Sequence, residues 1–393
     1  MRVTVKKSQR RIDLEKNDTS KGIQKYDSDN KYPQNIMIIR SNSGIGSSCI
    51  ELYSKFIKGG GFASNGDRIV NKRGDTLNKV MYKAADDLAL FGGYALHFNY
   101  NANYKISTIT NIPFEFCRLS IPDDHNHVSY IAVYDDWGYW KNMIIKTNEI
   151  DKINVFNPDP AAIQAQVDNA GGFRNYKGQI FYFSRDGFMT YPVPSYDSII
   201  EDMETDAGIK TYKYKAVKNG FSAFHMFVHR GGFESDDKRQ EFVNNLNSFQ
   251  GDENAGSIFL VEVEEGDEDV PEIKPFEMMK LDGVFDYTEK SIQDNIRRTM
   301  KIPPVLIGDL VVGRLGTAEE ILDATILYNS YTKEERVGLA EEFTKIMKLY
   351  KQPIRSALTI EELAIISEES LAKRKNSIPQ IDNGNNNETN NDK

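Results

Sequence analysis

Apolar residues recur every three to four positions in some segments and every second position in others, and the switch between these periods divides the chain. Ser47 to Ile57 places Ile50, Tyr53 and Ile57 on one helical face, and Gly59-Gly60-Gly61 stops the run. Asp75 to Phe91 predicts a second helix, with Leu77, Val80, Ala84, Leu88 and Phe91 on one side and Gly92-Gly93 beyond its end. The period then shortens. Tyr94 to Tyr100, Ile106 to Ile112, Tyr130 to Tyr134, Met143 to Ile145 and Ile180 to Phe183 are short runs rich in β-formers, separated by Asn, Asp, Gly and Pro. They predict an antiparallel β region. Pro158 to Gly172 reads as a polar loop or insertion.

The helical period returns over Asp197 to Gly220. Ile200, Ala207, Tyr214 and Phe221 fall seven apart, and Met203, Lys210 and Val217 repeat the spacing offset by three. That is a seam of the kind that packs helix on helix, interrupted at Lys210. Glu201, Asp202, Glu204 and Asp206 fill the first half and Lys210, Lys213, Lys215 and Lys218 the second, which complements the helix dipole. A helix over this span is about 35 Å long and needs partners along its length.

A small α+β stretch follows: a strand at Phe224–Phe227, a helix capped by Ser235 with Phe242, Leu246 and Phe249 on one face, and a strand at Ser257–Val263 running into the acidic residues 262–269. Asp282 to Met300 predicts another long helix. Phe285, Ile292, Ile296 and Met300 form its apolar stripe, and Lys290, Asp294, Arg297, Arg298 and Lys301 its polar face, with Pro303-Pro304 as the stop. Thr317-Ala318-Glu319-Glu320 is a capping box that opens a helix towards Tyr350, with a break near 330–332 and Leu339, Phe343, Ile346 and Tyr350 inward.

Composition narrows the class. The 393 residues are only 39% hydrophobic, with mean hydropathy −0.53, but carry 20 Tyr and 21 Phe. A lean core built on rings suits a protein that completes its burial against other copies of itself. Net charge is 49 − 58 = −9, which argues against a wrapper of nucleic acid, since phosphate affinity rests on Lys and Arg. Residues 1–25 run the other way, at 8 − 3 = +5, and read as a loose basic arm, while Asn383 to Lys393 is too polar to fold and reads as a disordered tail. Cys49 and Cys117, two cysteines in all, exclude a disulfide framework and a cysteine-based zinc site. There is no secretory signal and no apolar run of membrane-spanning length.

The chemical motifs favour bland readings. Ser43-Gly44-Ile45-Gly46-Ser47-Ser48 lacks the Lys-Ser/Thr of a phosphate loop and reads as a loop entering a helix. His225 and His229 lie on an expected strand, where a spacing of four does not build a helical zinc pair, and Asp123-Asp124-His125-Asn126-His127 reads as a hairpin loop. The acidic run 262–269 lacks EF-hand spacing. No nucleophile, base or metal set can be ordered, so neither catalysis nor a cofactor is expected.

One stretch carries a resemblance. Leu281 to Gly308, LDGVFDYTEKSIQDNIRRTMKIPPVLIG, resembles the part of tailed-phage portal (head–tail connector) proteins where a long stem helix ends in a turn, here Ile302, Pro303, Pro304, Leu306, Ile307 and Gly308. Other segments follow the family's order. The resemblance implies an α+β portal-like subunit: a flexible arm over 1–30, a β-rich wing over 31–194, a first stem helix over 195–222, and a clip over 223–280 with Asn254-Ala255-Gly256 before its strand. A second stem helix follows over 281–302, the turn and tunnel loop over 303–317, crown helices over 318–371 and a tail over 372–393. Two features depart from the family: Tyr191-Pro192-Val193-Pro194-Ser195 stands where Gly-x-Ser-Pro is common, and the stretch after the crown helix is short.

The implied function is a ring, usually a dodecamer, at one vertex of a virion capsid, assembled in the host cytoplasm. Double-stranded DNA passes through it during packaging and ejection, and its partners are the terminase large subunit, the major capsid protein and a tail adaptor, with no membrane. Arg314 in the tunnel loop, then Arg297, Arg298 and Lys301, are the implied channel contacts. The stem seam is Ile200, Met203, Ala207, Tyr214, Val217 and Phe221. The competing classes are another oligomeric virion protein and, further off, a soluble enzyme with an unrecognised site.

Overall fold

The computed structural model describes residues 17–125, 127–137, 149–187, 189–218, 225–228, 235–248, 272–275, 282–308 and 317–365. In chain order the elements are β1 (Asn17–Asp18), β2 (Ile23–Gln24), α1 (Tyr32–Asn42), α2 (Gly44–Lys58), β3 (Gly61–Phe62), α3 (Leu77–Phe91), β4 (Gly93–Tyr100), β5 (Ile106–Ile112), β6 (Cys117–Leu119), β7 (Tyr130–Val133), β8 (Asp151–Val155), α4 (Pro160–Asn169) and β9 (Gln179–Ser184). There follow α5 (Ile200–Lys218), β10 (His225–Val228), α6 (Asp236–Ser248), β11 (Glu272–Pro275), α7 (Asp282–Thr299), α8 (Ala318–Tyr331), α9 (Lys333–Lys348) and β12 (Ile360–Glu361). They divide into two compact units: one of Met1–Pro33, Ile50–Pro194 and Lys301–Lys393, the other of Gln34–Cys49 and Ser195–Met300.

The first unit is organised by a sheet of order β5-β4-β9-β8-β7-β6. Tyr94, Leu96 and Phe98 alternate along β4, opposite Phe183, Phe181 and Gln179 of β9, so one face is lined by rings. Tyr94 stacks on Phe183 at 4.9 Å, and Phe98 meets Phe156 edge-on at 5.2 Å. Phe343 of α9 lies 6.4 Å from Tyr94 and 5.7 Å from Phe62, fully buried. The expected helix over 75–91 is α3: Thr76 caps it by accepting from the Lys79 N–H, the five expected inward residues are buried, and Gly92 ends it at φ +79°. Four of the five expected β runs are strands; Met143–Ile145 lies outside the described residues.

Before α5, the structure departs from expectation in this unit at three places. First, residues 17–30 are not arm. β1 pairs with β2, Ile23 and Tyr26 are buried, and Tyr26 stacks at 4.1 Å on Tyr191, whose hydroxyl donates to the Gln24 carbonyl at 2.7 Å. The fully buried Arg118 fastens the segment, donating from Nε to Asn30 Oδ1 at 2.6 Å and from Nη2 to the Asn30 carbonyl at 2.8 Å, with further bonds to the Glu115 and Cys117 carbonyls. A few rings inside a charge-rich stretch outweigh its composition.

Second, 158–172 is not a loop. Asp159 caps α4 by accepting from the Ala161 N–H at 3.0 Å, Pro160 occupies the first turn, and Ile163 and Val167 are buried. Third, the sheet is not wholly antiparallel, because β8 runs parallel to β9. The two departures share a cause, since a parallel pair needs a crossover connection and α4 supplies it.

In the C-terminal part of this unit the capping box at Thr317 and Glu320 is formed in both directions. The expected break falls at Thr332, between α8 and α9. Arg336 explains it: buried, it donates to the carbonyls of Asn329 (2.8 Å) and Phe56 (3.2 Å) and to the Thr332 hydroxyl (2.7 Å), satisfying acceptors that the end of α8 leaves open.

Candidate functional site

The second unit is built on α5 and α7. Acids precede lysines along α5, and Asp286 and Glu289 precede Arg297 and Arg298 along α7, so an antiparallel pair sets unlike charges side by side. That is the arrangement found. Lys213 is ion-paired with Glu289, which holds its ammonium pKa up, and the turn Asp197–Ile199 also packs on α7. That turn lies fourteen or more positions before Lys213, about 21 Å along a helix. From Glu289, α7 extends about 15 Å to its C-terminal end and about 10 Å to its N-terminal end, so only the C-terminal end comes within contact range of that turn. The pair is therefore an antiparallel hairpin tied by the Lys213–Glu289 ion pair.

Its inner side is Ile199, Ile200, Met203 and Ile209 of the first helix region with Ile292 and Ile296 of α7, all buried. Buried Asp206 accepts from the Ser43 hydroxyl at 2.8 Å and from Lys210 Nζ at 2.9 Å. This gives Ser43–Ser48 a different meaning from the expected loop entering a helix. Gly44 and Gly46 are helical, Ser43 Oγ accepts from the Gly46 N–H at 3.1 Å, and a Cβ on Gly46 would stand 2.4 Å from Met203 Cε. The glycines let α2 approach α5. Cys49 is buried, and its thiol is pushed up to about 11 by burial, against the pull of Arg297; it is no ready nucleophile.

The seam residues divide. Ile200 and Met203 are buried, Ala207 is half-buried and Tyr214 is 64% exposed. Phe221 lies outside the described residues, as does the side chain of Val217. Arg297 leaves the expected polar face: it is only 8% exposed and ion-paired with Asp294. Arg298 and Lys301 are exposed. Arg314 and the rest of 309–316 lie outside the described residues, as do His229, the strand at 257–263, the acidic run and the tail from 366.

The Pro-Pro turn belongs to the first unit and differs from expectation in one respect. α7 already ends at Thr299, and Lys301 turns the chain at φ +55° before either proline. Pro303 is extended, Pro304–Ile307 form a 3-10 turn that packs on α8, and Gly308 closes it at φ +78°. Nothing crowds a Cβ at Gly308, so its backbone conformation is what asks for glycine. Lys301 Nζ lies 5.6 Å from the centre of the Tyr331 ring.

Elsewhere the polar motifs are structural. Asp123 accepts from the N–H groups of His127 (2.8 Å) and His125 (2.9 Å), which hold its carboxyl below the usual range. Among the described residues no cluster of three or more His, Cys, Asp or Glu is placed to hold a metal ion, and no helix is long and apolar enough to cross a membrane.

No family model matches the chain, and no curated protein matches it. Solved structures do. A chain in the virion of a native gene transfer agent particle aligns at a TM-score of 0.51 and 12% identity, over 88% of this chain and 87% of that one. The fold is shared with a virion protein. An HK97-family phage portal protein from Corynebacterium diphtheriae aligns at 0.49 and 13% identity, over 87% of this chain and 98% of that one. A chain in the neck of the empty gene transfer agent particle aligns at 0.49 and 12% identity, over 88% and 87%.

The exposed faces of the hairpin are what the sequence reading missed. Tyr287, 79% exposed, was legible as an aromatic off the apolar stripe, and Gly208 as a glycine inside a helix.

Proposed function

We propose that the chain is a portal subunit: twelve copies close a ring at one capsid vertex, and DNA passes through it during packaging and ejection. The observation that carries this reading is the stretch from Leu281 to Gly308. Its family resemblance was drawn from sequence, and in the structure it forms a long helix, a turn and a glycine stop leading to the capped helix α8. The fold shared with a gene transfer agent virion chain supports it. So does the antiparallel α5–α7 hairpin, in the place of the two stem helices.

In this reading the net charge of −9 keeps DNA from adhering to the wall, while Arg314 and Lys301 offer brief contacts. The terminase large subunit and tail adaptor dock on the clip, and the major capsid protein surrounds the ring. The test is light scattering with negative-stain imaging of the full chain. Rings with a central hole near twelve times 44.7 kDa are expected; a persistent monomer, even with the capsid assembly components added, contradicts the reading. Arg314→Ala is expected to change packaged DNA length or retention, and unchanged values remove Arg314 from the channel.

A further inference from the structure

Charge is unevenly distributed over the first unit. Segments 68–74, 101–109 and 348–359 hold Arg68, Lys72, Arg73, Lys105, Lys348, Lys351 and Arg355 and no Asp or Glu, a local balance of 7 − 0 = +7 in a chain of net charge −9. The fold gathers the three segments at the β5 edge of the sheet. Ile106 donates to the Leu349 carbonyl at 3.1 Å and accepts from the Lys351 N–H at 2.8 Å, and Ile109 donates to the Val70 carbonyl at 3.0 Å. Arg68 Nη2 donates to Gln352 Oε1 at 2.9 Å. Arg68 and Lys351 lie 5.0 and 5.4 Å from the centre of one ring, that of Tyr350. Two cations held at one ring repel each other, and an anion bound beside them relieves that repulsion.

Pairing sets this patch apart. Elsewhere lysines sit against carboxylates: Lys55 with Glu51, Lys58 with Asp86, Lys79 with Asp75, Lys177 with Asp151 and Lys345 with Glu342. In the patch Arg73 does so, 3.6 Å from Asp75. Among the described residues no acid is paired with Arg68, Lys72, Lys105, Lys348, Lys351 or Arg355, and all of these but the half-buried Arg68 are exposed.

The chemistry of the surface points to one kind of partner. Protein interfaces are built around apolar and aromatic anchors and are poor in Lys. Here Ile69, 62% exposed, is the one large apolar side chain left open in the three segments. Cations on long stems, beside the exposed amides and hydroxyl of Asn103, Gln352 and Ser356, suit the phosphates of a nucleic-acid backbone, which repeat at even spacing and carry no sequence information. We propose that this patch binds the phosphate backbone of double-stranded DNA without regard to sequence, through residues other than Arg314 and Lys301. It rests on the portal reading for the source of the DNA, while the patch itself belongs to the first unit alone.

The test uses the full-length protein and relaxed, covalently closed circular DNA. A closed circle cannot thread a closed ring, so its binding reports surfaces outside a channel. One variant combines Lys105→Glu, Lys351→Glu and Arg355→Glu. A control carries the same charge change at paired lysines, Lys55→Glu, Lys177→Glu and Lys345→Glu. The unmodified protein and the control are expected to retard the circle in a gel at low salt, and the patch variant to bind about tenfold or more weakly than the control. Equal weakening in both variants, or no binding of the circle by the unmodified protein, overturns the proposal. Binding of polyglutamate in place of the circle also overturns it and assigns the patch to an acidic protein.

Circular dichroism checks that each variant is folded, and Lys105→Gln carries the test at a single exposed side chain. It is expected to lower the slope of log affinity against log salt by about one; an unchanged slope contradicts a phosphate contact there. Light scattering keeps the two readings apart. Rings without patch-dependent binding refute the patch and leave the portal reading standing, whereas patch-dependent binding by a chain that never forms rings supports the patch and refutes the ring.

Discussion

The sheet region and the α5–α7 hairpin handle their side chains in opposite ways. Around the sheet the chain hides its rings from water by itself: Phe98, Phe114 and Phe343 are fully buried, and even an arginine, Arg118, is buried with carbonyl partners. The hairpin buries one seam and leaves Tyr214 and Tyr287 largely in solvent among charged neighbours. Among the described residues the first is closed over by its own side chains, and the second keeps exposed sides. A chain with 39% hydrophobic residues thus concentrates its dense core in one place.

The contrast breaks most sharply at Phe343. Phe343→Ala removes a ring packed against Tyr94 and Phe62 and is expected to cost about 3–5 kcal/mol, read as a lower urea midpoint. In the hairpin's own unit the sensitive position is Gly46. Gly46→Val sets branched carbons against Met203 and is expected to cost about 1–3 kcal/mol, measured the same way.

A smaller effect comes from Asp87 of α3, whose carboxyl burial, then Glu115 and Asp86, push well above its ordinary value. A carboxyl whose folded pKa is raised weighs against folding when ionised, and the penalty is relieved as pH falls through that raised pKa. Asp87→Asn is therefore expected to raise the melting temperature at pH 7, and the gain to vanish near pH 4, where wild-type Asp87 is protonated in the folded chain. A gain that persists at pH 4 contradicts this origin.

Smallest of all, Tyr287→Ser is expected to change the stability of the single chain by no more than about 0.5 kcal/mol, while weakening ring formation seen by light scattering.

Much of the fold was legible because periodicity reports burial. Leu77 to Phe91 and the run from Leu339 read as amphipathic helices and are so, the second as far as Lys348, with Tyr350 buried just beyond its end. The failures have physical causes. Tyr26 and Ile23 are isolated apolar residues, and what buries them lies far away in sequence: Arg118 and Tyr191 against Tyr26, and Ala132, Trp137 and Ile150 around Ile23. α4 was signalled by Asp159-Pro160, but its polar composition masked the cap. α1 hides because Ile36-Met37-Ile38-Ile39 is a continuous apolar run with no period. In the site, the charge order along α5 and α7 was visible and the hairpin realises it. The burial of Arg297 was not, since helical spacing alone cannot say which flank of a polar face a neighbour covers.

Amide hydrogen exchange, compared between single chains and assembled rings, tests the central contrast most directly. In the single chain β4 and β9 are expected to exchange slowly and α5 and α7 much faster; on assembly α5 and α7 slow by orders of magnitude and the sheet barely changes. Equal protection of α5, α7 and the sheet in the single chain, unaltered by assembly, would contradict the account.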